Sequence, residues 1–312
     1  MVITDVDFNI IMAEYDFEDM AVMEVYASRY APLAPEYKKV IMDYFKAKTE
    51  LKGDPDQAYE YMKSKNKLNS LYGMMAQKID FSTTIYDGEL EEYVTSPCDL
   101  GEALTKYYKS YNSFLSYQHG VWVTAWSRKR LRDMLRIVGK DVVYCDTDSI
   151  KFIGDHKADF DKKNKEIMRQ AKNAGAYAKD RKGNTQYLGL WECETEDHLY
   201  EEFKTLGAKK YVYIQDGHVN STIAGVGKKI GSSFFKKHGL DAFAIGTRIT
   251  DSGHLTAYYN DEAIHYIEVN GCRMLTASNV ALVNNSYTIG VTDEYLDLLE
   301  KALANEDNLY YI

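Results

Sequence analysis

The stretch that decides the fold is Val142-Val143-Tyr144-Cys145-Asp146-Thr147-Asp148-Ser149-Ile150-Lys151-Phe152. A β-branched and aromatic run leads into a cluster of turn-forming and acidic residues, and a second strand-like run leads out of it. Valine, isoleucine and aromatic residues favour strands, whereas aspartate and serine favour turns, so the stretch predicts a tight β-hairpin. Asp146 and Asp148 then lie together at its tip.

Two carboxylates this close repel each other unless they share a proton or a cation. A divalent metal is the usual solution, and the hard oxygen ligands of carboxylates suit Mg²⁺. The alternative is an ordinary surface turn, because Asp-x-Asp is common in such turns. The spacing alone therefore leaves the metal site open.

Two further segments favour the metal site over the ordinary surface turn. They are Lys65-Asn66-Lys67-Leu68-Asn69-Ser70-Leu71-Tyr72-Gly73 and Lys209-Lys210-Tyr211. Tyr-x-Asp-Thr-Asp-Ser resembles motif C of the family-B DNA polymerases. Lys-x-x-x-Asn-Ser-x-Tyr-Gly resembles their motif B, and Lys-x-Tyr resembles the motif that follows motif C. All three occur in the family's order. The segment Gly120–Trp126 is most similar to protein-primed phage DNA polymerases, and the resemblance is clear from about residue 30 to 235.

The resemblance implies DNA-templated DNA synthesis with dNTPs on a primer–template, using two Mg²⁺ ions or alternatively Mn²⁺. Asp148 matches the direct metal ligand of motif C and Asp146 the more peripheral one, and both are expected to be catalytic. The implied nucleotide-binding residues are Lys65, Asn69, Ser70, Tyr72 and Gly73. The implied primer-binding residues are Thr147, Lys209 and Tyr211.

The sequence lacks motif A, Asp-x-x-Ser-Leu-Tyr-Pro, which supplies the other bridging carboxylate in this family. It also lacks the family's 3′–5′ exonuclease motifs. Because Met1 falls where motif A would just have ended, we expect a split polymerase with an N-terminal partner chain. A terminal protein is a further partner that the resemblance allows. The alternative is a non-catalytic module that keeps the fold to bind DNA or replisome proteins. A palm-type nucleotidyl cyclase is disfavoured, because motif B has no role there.

The expected fold class is α+β: a polymerase palm with an antiparallel sheet, a helical fingers hairpin and a C-terminal thumb. We expect short strands in 1–30 as a partial palm, and two helices separated by Gly53-Asp54-Pro55 in the fingers, 31–78. An insertion at 79–108 is a candidate strand-displacement element. The palm continues over 109–216, with a strand leading into a basic helix at 118–138. The thumb and C-terminal region, 217–312, end in a helix over 292–304.

The net charge of −9 over 312 residues opposes non-specific binding to nucleic acid, because phosphate neutralisation requires a positive surface. Lysine and arginine are nevertheless concentrated before motif B, before motif C and over 204–237, which is compatible with a basic channel. The four cysteines form no Cys-x-x-Cys pair. No signal peptide or apolar membrane-spanning stretch is evident, so we expect no membrane association and a location in the cytoplasm. For a phage protein, this is the cytoplasm of the host cell.

Overall fold

The computed structural model describes residues 2–300 apart from 28, 30, 91, 112, 196–197, 260–263, 278–279, 294 and 298–299. The fold class is α+β, as predicted, and the strand pairings among these residues are antiparallel. Among the described residues, every helix is too short or too polar to cross a lipid bilayer.

The helices are α1 (Asp5–Glu14), α2 (Pro35–Leu51), α3 (Ala58–Met75), α4 (Leu100–Lys109), α5 (Tyr117–Val138), α6 (Lys157–Ala174) and α7 (Lys228–His238). The strands are β1 (Thr83–Asp87), β2 (Glu92–Ser96), β3 (Val142–Asp146), β4 (Ser149–Phe152), β5 (Tyr177–Lys179), β6 (Thr185–Tyr187), β7 (Tyr200–Thr205), β8 (Lys210–Gln215), β9 (His218–Ile223), β10 (Arg248–Ile249), β11 (Leu255–Tyr259), β12 (Ile264–Val269), β13 (Cys272–Ala277), β14 (Val280–Asn284) and β15 (Tyr287–Thr288).

The chain forms two compact units. Unit 1 comprises Met1–Ile137 and Asp155–Trp191, and unit 2 comprises Val138–Gly154 and Glu192–Ile312. The division into palm, fingers, insertion and thumb stays a prediction. The predicted final helix, 292–304, lies largely outside the described residues.

The helical hairpin α2–α3 of unit 1 is confirmed, and its turn chemistry explains it. Gly53 has a φ of 81°, a left-handed conformation that glycine adopts without steric cost. The Asp54 carboxylate then accepts from the Asp56 N–H at 3.1 Å, and Pro55 starts a 3₁₀ turn that leads into α3. Gly-Asp-Pro therefore ends one helix and begins the next.

The predicted strands in 1–30 are wrong, because residues 5–14 form α1 and the described residues of 15–30 form neither helix nor strand. The signal that sequence reasoning missed is a capping box. The Thr4 hydroxyl accepts from the Asp7 N–H at 3.0 Å, and the Asp7 carboxylate accepts from the Thr4 N–H at 3.4 Å. These bonds satisfy donors at the helix start that otherwise have no partner.

The predicted strand before the basic helix is also wrong, because α5 is helical from Tyr117. Its β-branched residues suggested a strand, but tertiary packing selects the helix. Gly120 lies against Ala76, where an added Cβ would come within 2.8 Å of the Ala76 Cβ. Ala125 and Met134 are fully buried. Packing of one helix face thus overrides a weak local propensity.

The arginines of α5 hold α1 in place. The Arg128 guanidinium donates two hydrogen bonds to the Asp7 carboxylate in a bidentate pair, at 2.8 and 2.9 Å. Arg136 Nε donates to Glu14 at 3.0 Å, and the Trp122 indole donates to Asp5 at 2.9 Å. The basic helix face is therefore neutralised in part by the acids of α1.

Unit 2 contains the sheet β7–β8–β9 with α7 against β9. Its core comprises Val212, Ile223, Val226, Phe235, Leu240, Phe243, Ile249 and Ile289. Gly231 makes the close approach of α7 possible, because a Cβ there would overlap the Ser221 hydroxyl.

Candidate functional site

The carboxylate stretch forms the predicted hairpin, in unit 2. Asp146 of β3 pairs with Ser149 of β4, which leaves Thr147 and Asp148 as a two-residue tip. Asp148 is exposed and Asp146 is partly buried. The two predicted metal ligands therefore lie at one tip but in different environments.

A bulge at Val143 sets the direction of the side chains before the tip. Val142 pairs with Phe152, whereas Tyr144 pairs with Lys151, so β3 contains one extra residue. Such a bulge re-aims the side chains that follow it. Tyr144 and Asp146 are two residues apart and thus share one face of β3. Tyr144 is buried, and Asp146 follows it at the rim.

The tip is strained. Thr147 has a φ of 50°, in the left-handed region that β-branched residues rarely adopt. The Asp148 N–H donates to the Asp146 carbonyl at 2.6 Å, which closes the rarer, strained form of a γ-turn. The Thr147 hydroxyl donates to Asp146 Oδ1 at 2.9 Å. Strain of this kind persists only where neighbouring contacts enforce it, and it concentrates at functional sites.

Lys209 contacts the hairpin at two points. Its backbone N–H donates to the Tyr144 hydroxyl at 3.0 Å, and its Nζ donates to Asp146 Oδ2 at 2.7 Å. The backbone of Lys209 is itself in the left-handed region, with a φ of 56°, and its carbonyl accepts from the Ala224 N–H at 2.9 Å. The structure thus brings together two segments that the sequence separates by 63 positions.

This contact determines the electrostatics of the tip. The hydrogen bond from Lys209 lowers the pKa of Asp146 below its ordinary value, against an opposing effect of burial, and bonds from Thr147 and Tyr144 add to the lowering. The same hydrogen bond raises the pKa of Lys209. Burial is the main reason that the pKa of Tyr144 is raised. The site therefore holds a charged carboxylate and a charged amine side by side at neutral pH.

Tyr211, the second residue of the Lys-x-Tyr motif, packs beside the same hairpin. Its ring centroid lies 5.0 Å from that of Tyr144 and 5.3 Å from that of Phe203. Aromatic pairs at such distances stabilise beyond their buried area. The primer-binding residues predicted from the sequence, Thr147, Lys209 and Tyr211, thus form one cluster with Asp146. Tyr144, which links them, begins the string that resembles motif C, but the sequence analysis predicted no role for it.

The donor atoms of the tip determine which metal ions it suits. Both candidate ligands are carboxylates, so the donor chemistry suits Mg²⁺. The described residues contain no group of three or more His, Cys, Asp or Glu side chains able to hold a metal ion. Asp146 is already bound to Lys209, which leaves the Asp148 carboxylate exposed. The donor chemistry of the two carboxylates is therefore compatible with Mg²⁺.

The predicted nucleotide-binding residues lie on α3, in unit 1. Its three lysines differ in their partners. Lys63 pairs with Glu60 at 3.2 Å, and Lys67 lies 5.5 Å from the centroid of the Tyr44 ring. Within the described residues, no ion pair is found for Lys65. In the part of the chain that the structure describes, Lys65 and Lys67 thus both have no ionic partner, and the exposed Lys67 differs in its contact with the Tyr44 ring.

The other candidates of motif B fall on the C-terminal half of α3. Asn69 and Tyr72 are exposed, and the Ser70 hydroxyl donates to the Asn66 carbonyl at 2.7 Å within the helix. A Cβ added at Gly73 would meet no heavy atom within 4 Å. Packing inside the protein therefore does not require glycine at position 73.

Comparison with known proteins gives one similar structure. The chain is similar to Phi29 DNA polymerase complexed with primer-template DNA, in its post-translocation binary complex, with 19% sequence identity and a TM-score of 0.49. The similarity covers 81% of this chain and 38% of that polymerase chain. No protein-family model matches this chain, and no curated protein matches it.

Proposed function

We propose that this chain is the fingers, palm and thumb part of a split DNA-templated DNA polymerase of family B. The observation that carries the proposal is the contact between Lys209 and Asp146. Motif C and the Lys-x-Tyr motif belong to one site in this family, and here the two segments meet through an ion pair and a shared tyrosine. An unrelated surface turn gives no reason for that meeting.

In the proposed reaction the primer 3′-hydroxyl attacks the α-phosphorus of a dNTP. A phosphorus–oxygen bond forms to the primer, the bond to pyrophosphate breaks, and the hydroxyl proton is released. Asp148 and Asp146 would hold Mg²⁺, or alternatively Mn²⁺, and the metal would supply stabilisation of the charge that develops on the phosphate. Asp148 is the better placed of the two, because its exposed carboxylate has no lysine partner within the described residues.

Lys209, Tyr211 and Thr147 are proposed to position the primer strand. A lysine holds a backbone phosphate and a tyrosine contacts the sugar or terminal base pair, which fixes the 3′ end without reading sequence. Lys209 would thus link the primer to the carboxylate hairpin. Its fixed backbone, held by Tyr144 and Ala224, supports such a role.

On α3, Lys65 would neutralise charge on the triphosphate as a point cation. Asn69, Ser70 and Tyr72 would contact the incoming nucleotide, and Gly73 would leave room beside the nascent base pair. Two observations support this assignment: the open space at Gly73, and the lack of an ion pair at Lys65 among the residues that the structure describes.

A partner chain is proposed to supply the motif A carboxylate and the exonuclease, because no Asp-x-x-Ser-Leu-Tyr-Pro string occurs in this sequence. Among the described residues, no third His, Cys, Asp or Glu side chain joins the two carboxylates of the hairpin tip in a group able to hold a metal ion. A terminal protein that primes synthesis is a further proposed partner.

The test is primer extension with dNTPs and Mg²⁺, using this chain alone and then with a chain that carries motif A. Activity only in the mixture is expected. Asp148→Ala should abolish it, whereas Asp161→Ala, at an exposed acid of α6, should leave it unchanged. Primer extension by this chain alone at the same rate as by the mixture would overturn the split-site proposal.

A non-catalytic binding module is the second candidate. The observation that favours it is the occupation of Asp146 by Lys209 in a tip that has only two carboxylates. DNA binding that persists while every mixture fails to extend a primer would select this candidate.

A further inference from the structure

Five aromatic side chains pack against one another beside the carboxylate hairpin, in unit 2. They are Tyr144 of β3, Tyr200 and Phe203 of β7, and Tyr211 and Tyr213 of β8, together called the aromatic cluster. The ring of Phe203 contacts all four tyrosines. Its centroid lies 5.3 Å from that of Tyr211, 5.8 Å from Tyr200, 6.0 Å from Tyr144 and 6.4 Å from Tyr213. Phe203 is therefore the central ring of the cluster.

The register of β7 and β8 explains why these rings share one face of the sheet. Phe203 pairs directly with Tyr213, and Tyr211 lies two positions before Tyr213 on the same strand. Residues two apart on a strand point to the same face. Tyr200 is three positions from Phe203 and would point to the other face of a regular strand. The pairing shifts between Tyr200 and Glu202, which adds one residue to β7 and brings Tyr200 onto the shared face.

Phe203 differs from the other members of the cluster because its side chain has no polar atom. The Tyr144 hydroxyl accepts from the Lys209 N–H at 3.0 Å, and Tyr211 belongs to the Lys-x-Tyr motif. Phe203 can contribute packing alone. Its ring is stacked on that of Tyr211, with 24° between the ring planes, and tilted by 45° against that of Tyr144. One ring thus restricts the movement of both tyrosines.

The connection that follows Phe203 is fixed by hydrogen bonds of one threonine. The Thr205 hydroxyl accepts from the Gly207 N–H at 3.2 Å and donates to the Lys210 carbonyl at 3.1 Å. Lys209, which bonds to the hairpin, lies in this connection between β7 and β8. The ring of Phe203 is therefore presented by a strand whose end is anchored beside Lys209.

We propose that Phe203 is a positioning residue of the proposed primer site. Its ring holds Tyr211 in place, and through Tyr144 it also orients Lys209 beside Asp146. The inference rests on the proposed function for the identity of the ligand as a primer end. Such a residue matters because a displacement of about 1 Å at a reacting group can cost roughly 100-fold in rate.

The first measurement is steady-state primer extension by the full chain together with the motif A chain, at varied primer–template and varied dNTP concentrations. Phe203→Leu keeps an apolar side chain but removes the ring. It should raise the KM for primer–template about tenfold, because the ring contacts to Tyr211 and Tyr144 are lost. The KM for dNTP should change less than twofold. Phe203→Tyr keeps the ring and should stay within twofold of the wild type for both substrates.

The matched control is Phe234→Leu, which removes another partly buried phenylalanine ring from unit 2. The Phe234 ring lies 5.2 Å from that of Phe235 and 4.6 Å from that of His238. This variant should leave both KM values unchanged. A role of Phe203 in stability alone would reduce the amount of folded enzyme, so it would lower kcat and leave both KM values unchanged.

The second measurement follows amide hydrogen exchange by NMR in this chain alone, without DNA. Because the Lys209 N–H is bonded to the Tyr144 hydroxyl, Phe203→Leu should accelerate exchange at Lys209 about tenfold. The amide of Val212, a fully buried residue of β8, should change less than twofold. Phe234→Leu should not accelerate exchange at Lys209 selectively.

Three outcomes would overturn the inference while the proposed polymerase stands. They are an unchanged KM for primer–template in Phe203→Leu, an equal increase in Phe234→Leu, and equal acceleration of exchange at Lys209 and Val212. Failure of the wild type in every extension mixture refutes the proposed polymerase instead, and the primer assignment with it. Selective exchange at Lys209 in Phe203→Leu would then still support the orientation of Tyr144 and Lys209 by this ring.

Discussion

The Nζ of Lys209 lies 2.7 Å from Oδ2 of Asp146, and the backbone N–H of the same lysine is bound to Tyr144, two residues before that aspartate. The carboxylate that motif C assigns to a metal is thus held by the lysine that the following motif assigns to the primer. A cation that approaches Asp146 meets a resident ammonium group. In the proposed enzyme, metal binding and the position of Lys209 are therefore coupled through one carboxylate.

This coupling predicts the effect of Lys209→Gln on the pKa of Asp146. The hydrogen bond from Lys209 is the largest cause of its lowering, so the substitution should raise the pKa towards the ordinary carboxyl value. Titration of the Asp146 carboxyl carbon by NMR measures the change. Lys210→Gln is the matched control, because the Lys210 ammonium donates to the Gly290 carbonyl instead. No difference between the two variants would remove the basis of the coupling.

The same pair predicts a pH dependence of stability. The pKa of Asp146 is lower in the folded than in the unfolded chain, so the folded state binds fewer protons and the stabilisation is present above the ordinary carboxyl pKa. It is lost as the pH falls through the lowered value. The raised pKa of Lys209 implies that its contribution is lost only as the pH rises through that raised value. Asp146→Asn should therefore lower the midpoint of urea unfolding at pH 6, by a margin that shrinks towards pH 3. A constant margin would show that the ion pair does not contribute.

Alanine substitutions at two glycines of unit 1 are predicted to change the free energy of unfolding in opposite directions. Gly73→Ala places a methyl group in open space inside α3 and should raise the free energy of unfolding by about 1 kcal/mol, through better helix propensity. Gly120→Ala brings a Cβ within 2.8 Å of the Ala76 Cβ and should lower it by about 1 to 3 kcal/mol. Chemical denaturation measures both changes. If Gly73→Ala stabilises the chain but weakens dNTP use, glycine at this position serves the nucleotide rather than the fold.

The attachment of α1 to α5 predicts coupling between Asp7 and Arg128. The hydrogen bond from Arg128 is the largest cause of the lowered pKa of Asp7, and the two bonds to one carboxylate fix its orientation. Arg128→Gln should cost about 1 kcal/mol, because the arginine is half exposed and solvent screens the pair. Asp7→Ala should cost about 1 to 2 kcal/mol, since it also removes the carboxylate that accepts from the Thr4 N–H in the capping box. A double-mutant cycle without a coupling energy would show that the two residues act independently.

The features that the sequence predicted well are local. Gly53-Asp54-Pro55 fixes the turn between α2 and α3, and the run around Asp146 fixes the hairpin, because each depends on neighbouring residues alone. The features it missed depend on distant partners. Val121, Val123 and Thr124 suggest a strand until the packing of Gly120 on Ala76 makes them helical. The bond between Lys209 and Asp146 joins residues 63 positions apart, and no local pattern specifies it. Resemblance placed both residues in one site, but it did not predict that they would pair.

The proposed role of Lys65 predicts the effect of removing a single positive charge from the proposed nucleotide site. Among the lysines of α3, Lys63 is bound to Glu60 and Lys67 lies against Tyr44, whereas Lys65 has no ion pair within the described residues. A hydrogen bond to a charged phosphate contributes about 1.5 to 3 kcal/mol, so Lys65→Gln should raise the KM for dNTP roughly 10- to 100-fold in the active assembly. Lys67→Gln removes the same charge two residues away and should change KM less than twofold. Steady-state primer extension at varied dNTP concentration measures both variants. Because Lys65 has no ionic partner in the described part of the chain that its loss would leave unpaired, the thermal unfolding midpoint of Lys65→Gln should match that of the wild type. Equal increases in KM for the two variants would indicate a general effect of helix charge, and the assignment of Lys65 to the triphosphate would then be wrong.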